Sequence, residues 1–490
     1  MSQKQVRTRY APSPTGSMHI GNLRSALYEY LVAKSQGGVF VLRIEDTDQK
    51  RQVEGALQKI YDTLKLAGIQ HDEGPDVGGN YGPYVQSERK HLYLAYAKQL
   101  VESKHAYYCF CDKERLDSLR QSQEHEGAKY DRHCLGLSER EIKENLDSGM
   151  PYVIRQKMPT EGSVTYHDAV FGEITVPSSE LEDQILVKSD GFPTYNFANV
   201  VDDHLMEITH VVRGSEYVSS TPKYILLYEA FGWDVPVFIH LPLITKEGGR
   251  KMSKREGDAS FVDLIDMGYL PEAIVNYVAL LGWSPRDNQE IFSLKELEEV
   301  FDIKGISKSP STFDFEKLNW MNREYIRKMD LDAFHAKAIE EYKKASLTET
   351  TADLHKVSQL LRERIEFFTQ IPENVDFLVK MPDNYDLNMY NHKKMKTSTE
   401  NSVEFLEASY QSLAQLMDWN FQSIEKALMD TVETLGVKNG QILWPVRTAI
   451  SGKQMTPGGA FEIADILGKE ETLSRLQISM DRLKTFNENQ

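Results

Sequence analysis

The sequence predicts an α/β fold in its N-terminal part and an all-α fold in its C-terminal third. Residues 6–10 are typical of a short strand and residues 39–44 are an apolar run of strand length, and between them apolar residues recur at steps of three and four until Gly37-Gly38. A strand, a helix and a second strand form a βαβ unit, which makes the two strands parallel. Beyond about residue 326 one helical pattern follows another, without convincing strand alternation.

The composition indicates a soluble protein of several domains. With 490 residues the chain is too long for one core, so we expect three to five domains. No apolar stretch approaches the roughly 20 residues of a membrane span, so we expect no membrane association. Three cysteines are too few for a disulfide framework, so we expect a cytoplasmic location. The net charge of −17 disfavours nucleic acid as a partner on average, yet one local positive face is enough to hold a polyanion.

Two short segments carry residue types that hold phosphate. His19-Ile20-Gly21-Asn22 opens the predicted helix, where free N–H groups attract an anion and Gly21 lets a nucleotide approach the backbone. Lys251-Met252-Ser253-Lys254-Arg255 supplies flexible point charges and follows a hinge-like Gly248-Gly249. A surface histidine and a solvated basic run are the ordinary alternatives for each segment alone. Together they predict one ATP held from two sides.

Acidic residues follow the second predicted strand, where open α/β sheets bind their ligands. In Glu45-Asp46-Thr47-Asp48, a carboxylate suits a substrate ammonium group or a metal. Capping of the next helix is the alternative for Asp46 or Asp48. A further strand, ending in His210-Val211-Val212-Arg213-Gly214, is expected to bring an arginine to the same edge of the sheet.

These motifs resemble those of bacterial and organellar glutamyl-tRNA synthetases, which are class I aminoacyl-tRNA synthetases. The resemblance rests on the run from Arg9 to Gly16, on His19 to Asn22, on Arg43 to Asp48 and on the second class I signature at Lys251 to Arg255. One departure is Asn22, because the first signature usually ends on a second histidine. Pro12-Ser13-Pro14 and the helical C-terminal pattern favour the glutamyl enzymes over the related glutaminyl enzymes.

The resemblance implies ATP-dependent attachment of L-glutamate to the 3′ end of tRNA(Glu) through a glutamyl-adenylate, with release of AMP and diphosphate. It implies ATP with Mg²⁺, tRNA(Glu) and glutamate as partners, and a monomer. The residues implied are His19, Lys251 and Lys254 for catalysis; His19, Gly21, Asn22, Lys251, Ser253 and Lys254 for ATP; Arg9, Ala11, Ser13, Glu45, Tyr195, Asn199 and Arg213 for glutamate; and Arg447 and Thr456 for the anticodon.

The same resemblance divides the chain into five segments. A Rossmann-like parallel-sheet catalytic domain is expected at 1–85 and 189–245, interrupted by an acceptor-binding insertion at 86–188. The KMSKR loop and stem-contact region are expected at 246–325, and an α-helical anticodon-binding region at 326–490.

All three cysteines lie in the predicted insertion. Cys109 and Cys111 form a Cys-x-Cys pair, a spacing found among structural zinc ligands. By resemblance, Cys134 and Tyr130 match further ligand positions of zinc-bearing members. The histidine commonly found two places after the last cysteine is replaced by Gly136, and His133 is a substitute. The sequence leaves structural Zn²⁺ and three free thiols as alternatives.

Two functions of other classes compete with the synthetase hypothesis. A nucleotidyltransferase that is not a ligase shares this type of ATP site, but it needs neither a helical anticodon region nor two arginines for a dicarboxylate. A catalytically inactive RNA-binding paralogue has no need of His19, Lys251 and Lys254, which are intact here.

Overall fold

The computed structural model describes residues 4–14, 18–48, 53–122, 129–246 and 260–489. The chain divides into two compact units, the first formed by residues 1–266 with 271–318 and the second by residues 267–270 with 319–490. The division into five segments is finer than this and stays a prediction.

The described residues form strands and helices that we number in chain order. The strands are β1 (Arg7–Tyr10), β2 (Val39–Leu42), β3 (Ala106–Cys109), β4 (Val153–Gln156), β5 (Ser163–Asp168), β6 (Gly172–Pro177), β7 (Ile185–Val187), β8 (His210–Gly214), β9 (Val237–Leu241), β10 (Ile244–Thr245) and β11 (Ser311–Thr312). The helices of the first half are α1 (Ile20–Lys34), α2 (Ala56–Leu66), α3 (Lys90–Glu102), α4 (Lys113–Ser122), α5 (Glu139–Asp147), α6 (Tyr195–Leu205), α7 (Thr221–Phe231), α8 (Phe261–Asp266), α9 (Pro271–Ala279) and α10 (Leu294–Val300). The remaining helices are α11 (Phe315–Lys328), α12 (Leu331–Lys344), α13 (Leu354–Arg362), α14 (Ile371–Val379), α15 (Thr399–Ala414), α16 (Phe421–Thr434), α17 (Asn439–Ser451), α18 (Ala460–Leu467) and α19 (Lys469–Glu488).

Parallel strands form the centre of the first unit. β1 pairs with β2, with Arg9 opposite Val41, and β8 pairs with β9, with Arg213 opposite His240. The backbone N–H of Thr209 donates to the carbonyl of Arg7 at 3.0 Å and so joins the two pairs. The predicted βαβ unit is confirmed, because α1 connects two parallel strands. This arrangement places the ends of β1 and β8 at one edge.

Antiparallel strands mark the interruption of the parallel pattern. β3, β4 and β7 form one antiparallel sheet, and β5 pairs with β6 in the same manner. β5 also meets β9 in parallel through Asp168 and Phe238, so this hairpin extends the sheet that carries Arg213.

The second unit is helical, as predicted. Its described residues form helices and loops, with one isolated bridge between His392 and Thr397. Helix α13 ends at Arg362, and Ile365 beyond it is buried. None of the helices in the described part of the chain has both the length and the apolar character that a bilayer crossing requires.

Candidate active site

A cavity of about 510 Å³ lies where β1, β8 and the start of α1 meet. Its lining includes these residues predicted for the nucleotide and glutamate sites: Arg9, Ala11, Ser13, His19, Gly21, Asn22, Tyr195 and Arg213. A second cavity of about 610 Å³ lies among α13, α16 and α18, so volume alone does not single out a site. The convergence of charged and polar groups does.

His19 is the N-terminal cap of α1, and its side chain has a defined orientation. Its Nδ1 accepts a hydrogen bond from the backbone N–H of Gly21 at 3.1 Å. In a neutral imidazole with an accepting Nδ1, the proton is on Nε2. The helix start adds a partial positive charge beside the ring. His19 can therefore donate from Nε2 to an anion in the cavity.

Gly21 and Asn22 lie beside His19 on the first turn of α1, in the cavity lining. A Cβ placed on Gly21 would meet only Nδ1 of His19, at 3.5 Å, which is an ordinary contact. The protein's own packing therefore does not require glycine here, and close approach of a ligand is the reason that fits. The other predicted nucleotide ligands, Lys251, Ser253 and Lys254, lie outside the described residues.

Arg213 is a buried guanidinium without a carboxylate partner among the residues that the structure describes. Its side chain lies over the rings of Tyr224, Tyr217 and Phe238, at 4.5, 5.1 and 5.2 Å from their centroids. Its Nη2 donates to the Thr221 hydroxyl at 3.2 Å, whereas its buried Nε has no acceptor. Cation–π contacts stabilise such a charge only in part, so an anion from outside is the natural complement.

Arg9, in contrast to Arg213, is paired with buried carboxylates. Its Nε and Nη2 donate to the two carboxylate oxygens of Asp203 at 2.9 and 3.2 Å, and its Nη1 donates to Glu29 at 3.3 Å. All three side chains are almost fully buried. Burial would lower the pKa of Arg9, but Asp203 and Glu29 outweigh it and raise that pKa, so Arg9 stays charged. Arg9 therefore presents an oriented donor, whereas Arg213 supplies uncompensated charge.

Glu45 and Asn199 lie behind the cavity lining, and each has a buried polar atom without a partner in the described structure. Glu45 Oε1 accepts from Arg43 Nη2 at 2.8 Å, but its Oε2 has no donor. Asn199 Nδ2 has no acceptor. Burial raises the pKa of Glu45, although Arg43 and Arg9 oppose this shift. An unused acceptor and an unused donor near a cationic pocket suit an amino acid with its ammonium and carboxylate groups.

Tyr195 links this pair to the cavity. Its ring lies 5.8 Å from that of Tyr217, which also contacts Arg213. Burial and the nearby charge of Glu45 raise the pKa of Tyr195 well above its ordinary value, so the hydroxyl remains a donor.

The alternative that Asp46 or Asp48 caps the next helix is wrong, because the N-cap of α2 is Gly55. Asp46 instead accepts from the backbone N–H of Ser87 at 2.7 Å.

The three cysteines form one cluster in the first unit. The sulfur atoms of Cys109, Cys111 and Cys134 all lie within 4.8 Å of one another. The Tyr130 hydroxyl lies 3.3 Å from Sγ of both Cys109 and Cys111. His133 is exposed and is not a member of this cluster, so Tyr130 is the better fourth group.

Of the predicted anticodon residues in the second unit, Arg447 lies on the last turns of α17 and Thr456 lies in the loop between α17 and α18. Arg447 packs over the Trp444 ring at 4.4 Å and donates from Nη2 to the Gln454 carbonyl at 2.7 Å. Burial lowers its pKa, and its Nε has no acceptor in the described part of the chain. Thr456 donates its hydroxyl to the Gly458 carbonyl at 2.7 Å. Arg447 resembles Arg213: a cation on an aromatic ring without a carboxylate partner.

Sequence reasoning missed the buried ions behind the cavity. Asp202 and Asp203 lie on α6 and read as ordinary surface acids, yet both are almost fully buried. A buried His240 donates from Nδ1 to Asp168 at 2.7 Å and lies 3.2 Å from the Thr221 hydroxyl that supports Arg213. The signal in the sequence is that these charged residues stand within otherwise apolar runs. Because charged residues are almost never fully buried unless they are paired, such positions indicate buried ion pairs.

Comparison with known proteins agrees with this site. Residues 5–320 match the catalytic domain family of class I tRNA synthetases (E and Q), and residues 331–480 match an anticodon-binding domain family. A glutamate–tRNA ligase of Clostridium botulinum is 59% identical over 484 residues, 98% of this chain and 99% of that protein. One from Clostridium acetobutylicum is 58% identical over 486 residues, 99% of this chain and 100% of that protein.

Solved structures lead to the same family. The crystal structure of a glutamate tRNA ligase from Elizabethkingia meningosepticum, in complex with its amino acid, has a TM-score of 0.88 and 37% identity, and the match covers 98% of this chain and 100% of that one. A glutamate–tRNA synthetase from Elizabethkingia anophelis has a TM-score of 0.87 and 36% identity over the same shares. The motifs, the fold and these relatives agree: the chain belongs to the glutamate–tRNA ligases, a family of class I aminoacyl-tRNA synthetases.

Proposed function

We propose that the chain attaches L-glutamate to the 3′ end of tRNA(Glu) in two steps. The α-carboxylate of glutamate attacks the α-phosphorus of ATP, which forms glutamyl-adenylate and releases diphosphate. A hydroxyl of the terminal adenosine of the tRNA then takes the glutamyl group and releases AMP. Class I synthetases use ATP with Mg²⁺, which neutralises charge on the phosphates.

One observation supports this proposal above the rest. A single cavity contains a histidine at a helix start and a buried, uncompensated arginine. The first suits the phosphates of ATP, and the second suits a substrate carboxylate. Adenylate formation needs its two substrates side by side and needs no protein nucleophile. The cavity supplies neighbouring places for both.

The roles within the cavity follow from its electrostatics. Arg213 would pair with the γ-carboxylate of glutamate, and Arg9 would add directed donors beside it. The unused Oε2 of Glu45 would accept from the α-ammonium group. His19 would donate to the phosphates, and Lys251 and Lys254 would approach them from the other side. Contacts that form only as charge develops on the phosphates raise the rate rather than the affinity.

The test is aminoacylation of tRNA(Glu) with labelled glutamate, compared with glutamine and with a reaction that lacks RNA. We expect acid-precipitable label only with glutamate, ATP and tRNA together. ATP turnover without label transfer would support a nucleotidyltransferase of another kind. Binding of tRNA without either activity would support an inactive paralogue.

We further propose that Cys109, Cys111, Cys134 and Tyr130 bind a structural Zn²⁺. Zinc–sulfur bonds of about 2.3 Å place tetrahedral sulfurs roughly 3.8 Å apart, and Cys111 and Cys134 lie 3.5 Å apart here. The fourth position falls to the Tyr130 oxygen, which faces two of the sulfurs. Metal analysis of the purified protein should find near one zinc per chain, and Cys134→Ser should remove it. A value near zero would identify three free thiols.

We also propose that the protein acts as a cytoplasmic monomer. Light scattering of the purified protein should give the mass of a single 56.2 kDa chain. A mass of twice that value would contradict the monomer.

A further inference from the structure

A buried ion network connects the two ends of the proposed glutamate site. Asp203 Oδ1 accepts from Arg9 Nε at 2.9 Å and from Arg43 Nη1 at 2.7 Å. Arg43 in turn donates from Nη2 to Glu45 Oε1 at 2.8 Å. One carboxylate and one guanidinium therefore lie between Arg9 and Glu45, and neither Asp203 nor Arg43 lines the cavity.

The backbone makes this connection rigid. Arg9 lies on β1, and Arg43 and Glu45 lie in the extended segment after β2, where alternate residues point the same way. Backbone N–H groups of Arg43 and Glu45 donate to the carbonyls of Tyr10 and Pro12 at 2.9 and 3.0 Å. Asp203 comes from α6 and closes the network from behind.

Burial makes the network stiff as well as strong. The Arg43 side chain is fully buried and that of Asp203 is 3% exposed. With little water to compete, each shared hydrogen bond holds its partners in one geometry. Arg43 makes three such contacts, two to Glu45 and one to Asp203, which only a planar, forked guanidinium can satisfy together.

We propose that Arg43 and Asp203 are positioning residues that set the spacing between Arg9 and Glu45, and so determine the preference of the site for glutamate over aspartate. This inference rests on the proposed function, in which Arg9 contacts the side-chain carboxylate and Glu45 the ammonium group. Glutamate and aspartate carry the same charges and differ by one methylene, so charge alone cannot separate them. A fixed distance between the two contacts can.

The test compares charging of tRNA(Glu) with labelled glutamate and labelled aspartate at one high enzyme concentration. Arg43→Lys keeps the charge but loses the fork, and Asp203→Glu keeps the charge but lengthens the spacer. One methylene is worth about 10- to 200-fold in discrimination, so the glutamate-to-aspartate ratio of kcat/KM should fall by about tenfold or more in both variants. The KM for ATP should change less than about twofold, because the network holds Arg9 and Glu45, which are the proposed contacts of the amino acid.

A matched control separates positioning from stability. Asp183 is equally buried, and it pairs with Arg132 at 2.6 Å, outside the network of Arg9, Asp203, Arg43 and Glu45. Asp183→Asn should also lower the melting temperature, yet keep the wild-type ratio. An unchanged ratio in Arg43→Lys and Asp203→Glu, or an equal fall in Asp183→Asn, would overturn the proposal. Failure of the wild-type protein to charge glutamate would instead remove the proposed function.

If one variant does not fold, the other still decides the question. Asp203→Glu also has an expected direction of change. Its longer side chain should push the Arg9 guanidinium toward the cavity and shorten the space for the substrate. Its ratio should therefore fall through a gain in aspartate charging as well as a loss in glutamate charging. A loss of both in equal proportion would show a merely structural role.

Discussion

Replacement of Arg213 by alanine tests the electrostatic reading of the cavity most directly. Arg213 is 6% exposed and lies among three aromatic rings, and within the described ranges its guanidinium has one hydrogen bond, to Thr221. When glutamate binds, the same group gains a carboxylate in a desolvated place. Removal of one partner from such a buried pair costs about 2–5 kcal/mol.

That energy converts to a kinetic expectation. At about 1.4 kcal/mol for each factor of ten, kcat/KM for glutamate should fall by roughly 30- to 4,000-fold in Arg213→Ala. The KM for ATP should stay within about twofold, since the loss concerns binding of the other substrate. Arg213→Lys should recover part of the loss, because it restores the charge but not the fork.

The assay is ATP–pyrophosphate exchange in the presence of tRNA(Glu), with glutamate and ATP varied in turn. Thermal unfolding gives the control. Arg213→Ala leaves no buried carboxylate unpaired among the described residues, whereas Arg9→Ala leaves Asp203 and Glu29 each short of a partner and should destabilise by about 3–5 kcal/mol. Equal rises in the KM of glutamate and ATP would remove Arg213 from the amino-acid pocket. Equal destabilisation by both alanine variants would refute the contrast between the two arginines.

Three further predictions concern other parts of the chain. Lys254→Ala should slow adenylate formation by about 10²-fold or more with the KM for glutamate little changed, measured by single-turnover kinetics; a KM effect alone would contradict this. Arg447→Ala should raise the KM for tRNA(Glu) about 5- to 150-fold, since stacking on a base is worth about 1–3 kcal/mol, and should leave ATP binding intact; unchanged charging kinetics would refute it. Burial lowers the pKa of His240 below its ordinary 6.5, even though Asp168 opposes the shift. The unfolded chain therefore binds this proton more readily, and stability should fall as pH drops through about 6.5. His240→Gln should flatten that dependence in melting curves between pH 7.5 and 5.5, and an equal slope in both proteins would contradict the assignment.

Local patterns in the sequence were enough to predict the architecture. Apolar spacing and Gly37-Gly38 predicted α1 and the parallel pair around it, and the helical second unit followed from the same periodicity. These features depend on neighbours within a few residues, so they can be read without a structure. The motifs also supplied the residue types of the site, and the cavity brings eight of them together.

The state of those residues depends on partners far away in the chain. Arg9 and Arg213 are the same residue type, yet Arg9 is charged and paired with Asp203, 194 positions on, whereas Arg213 meets rings and a hydroxyl within the part of the chain that the structure describes. The sequence by itself determined which residue types stand at these positions: two arginines, a histidine at a helix start and an acidic residue after a strand. Only the tertiary structure decided which of the two arginines is paired with buried carboxylates, because desolvation and charge pairing act through space between segments that periodicity cannot relate.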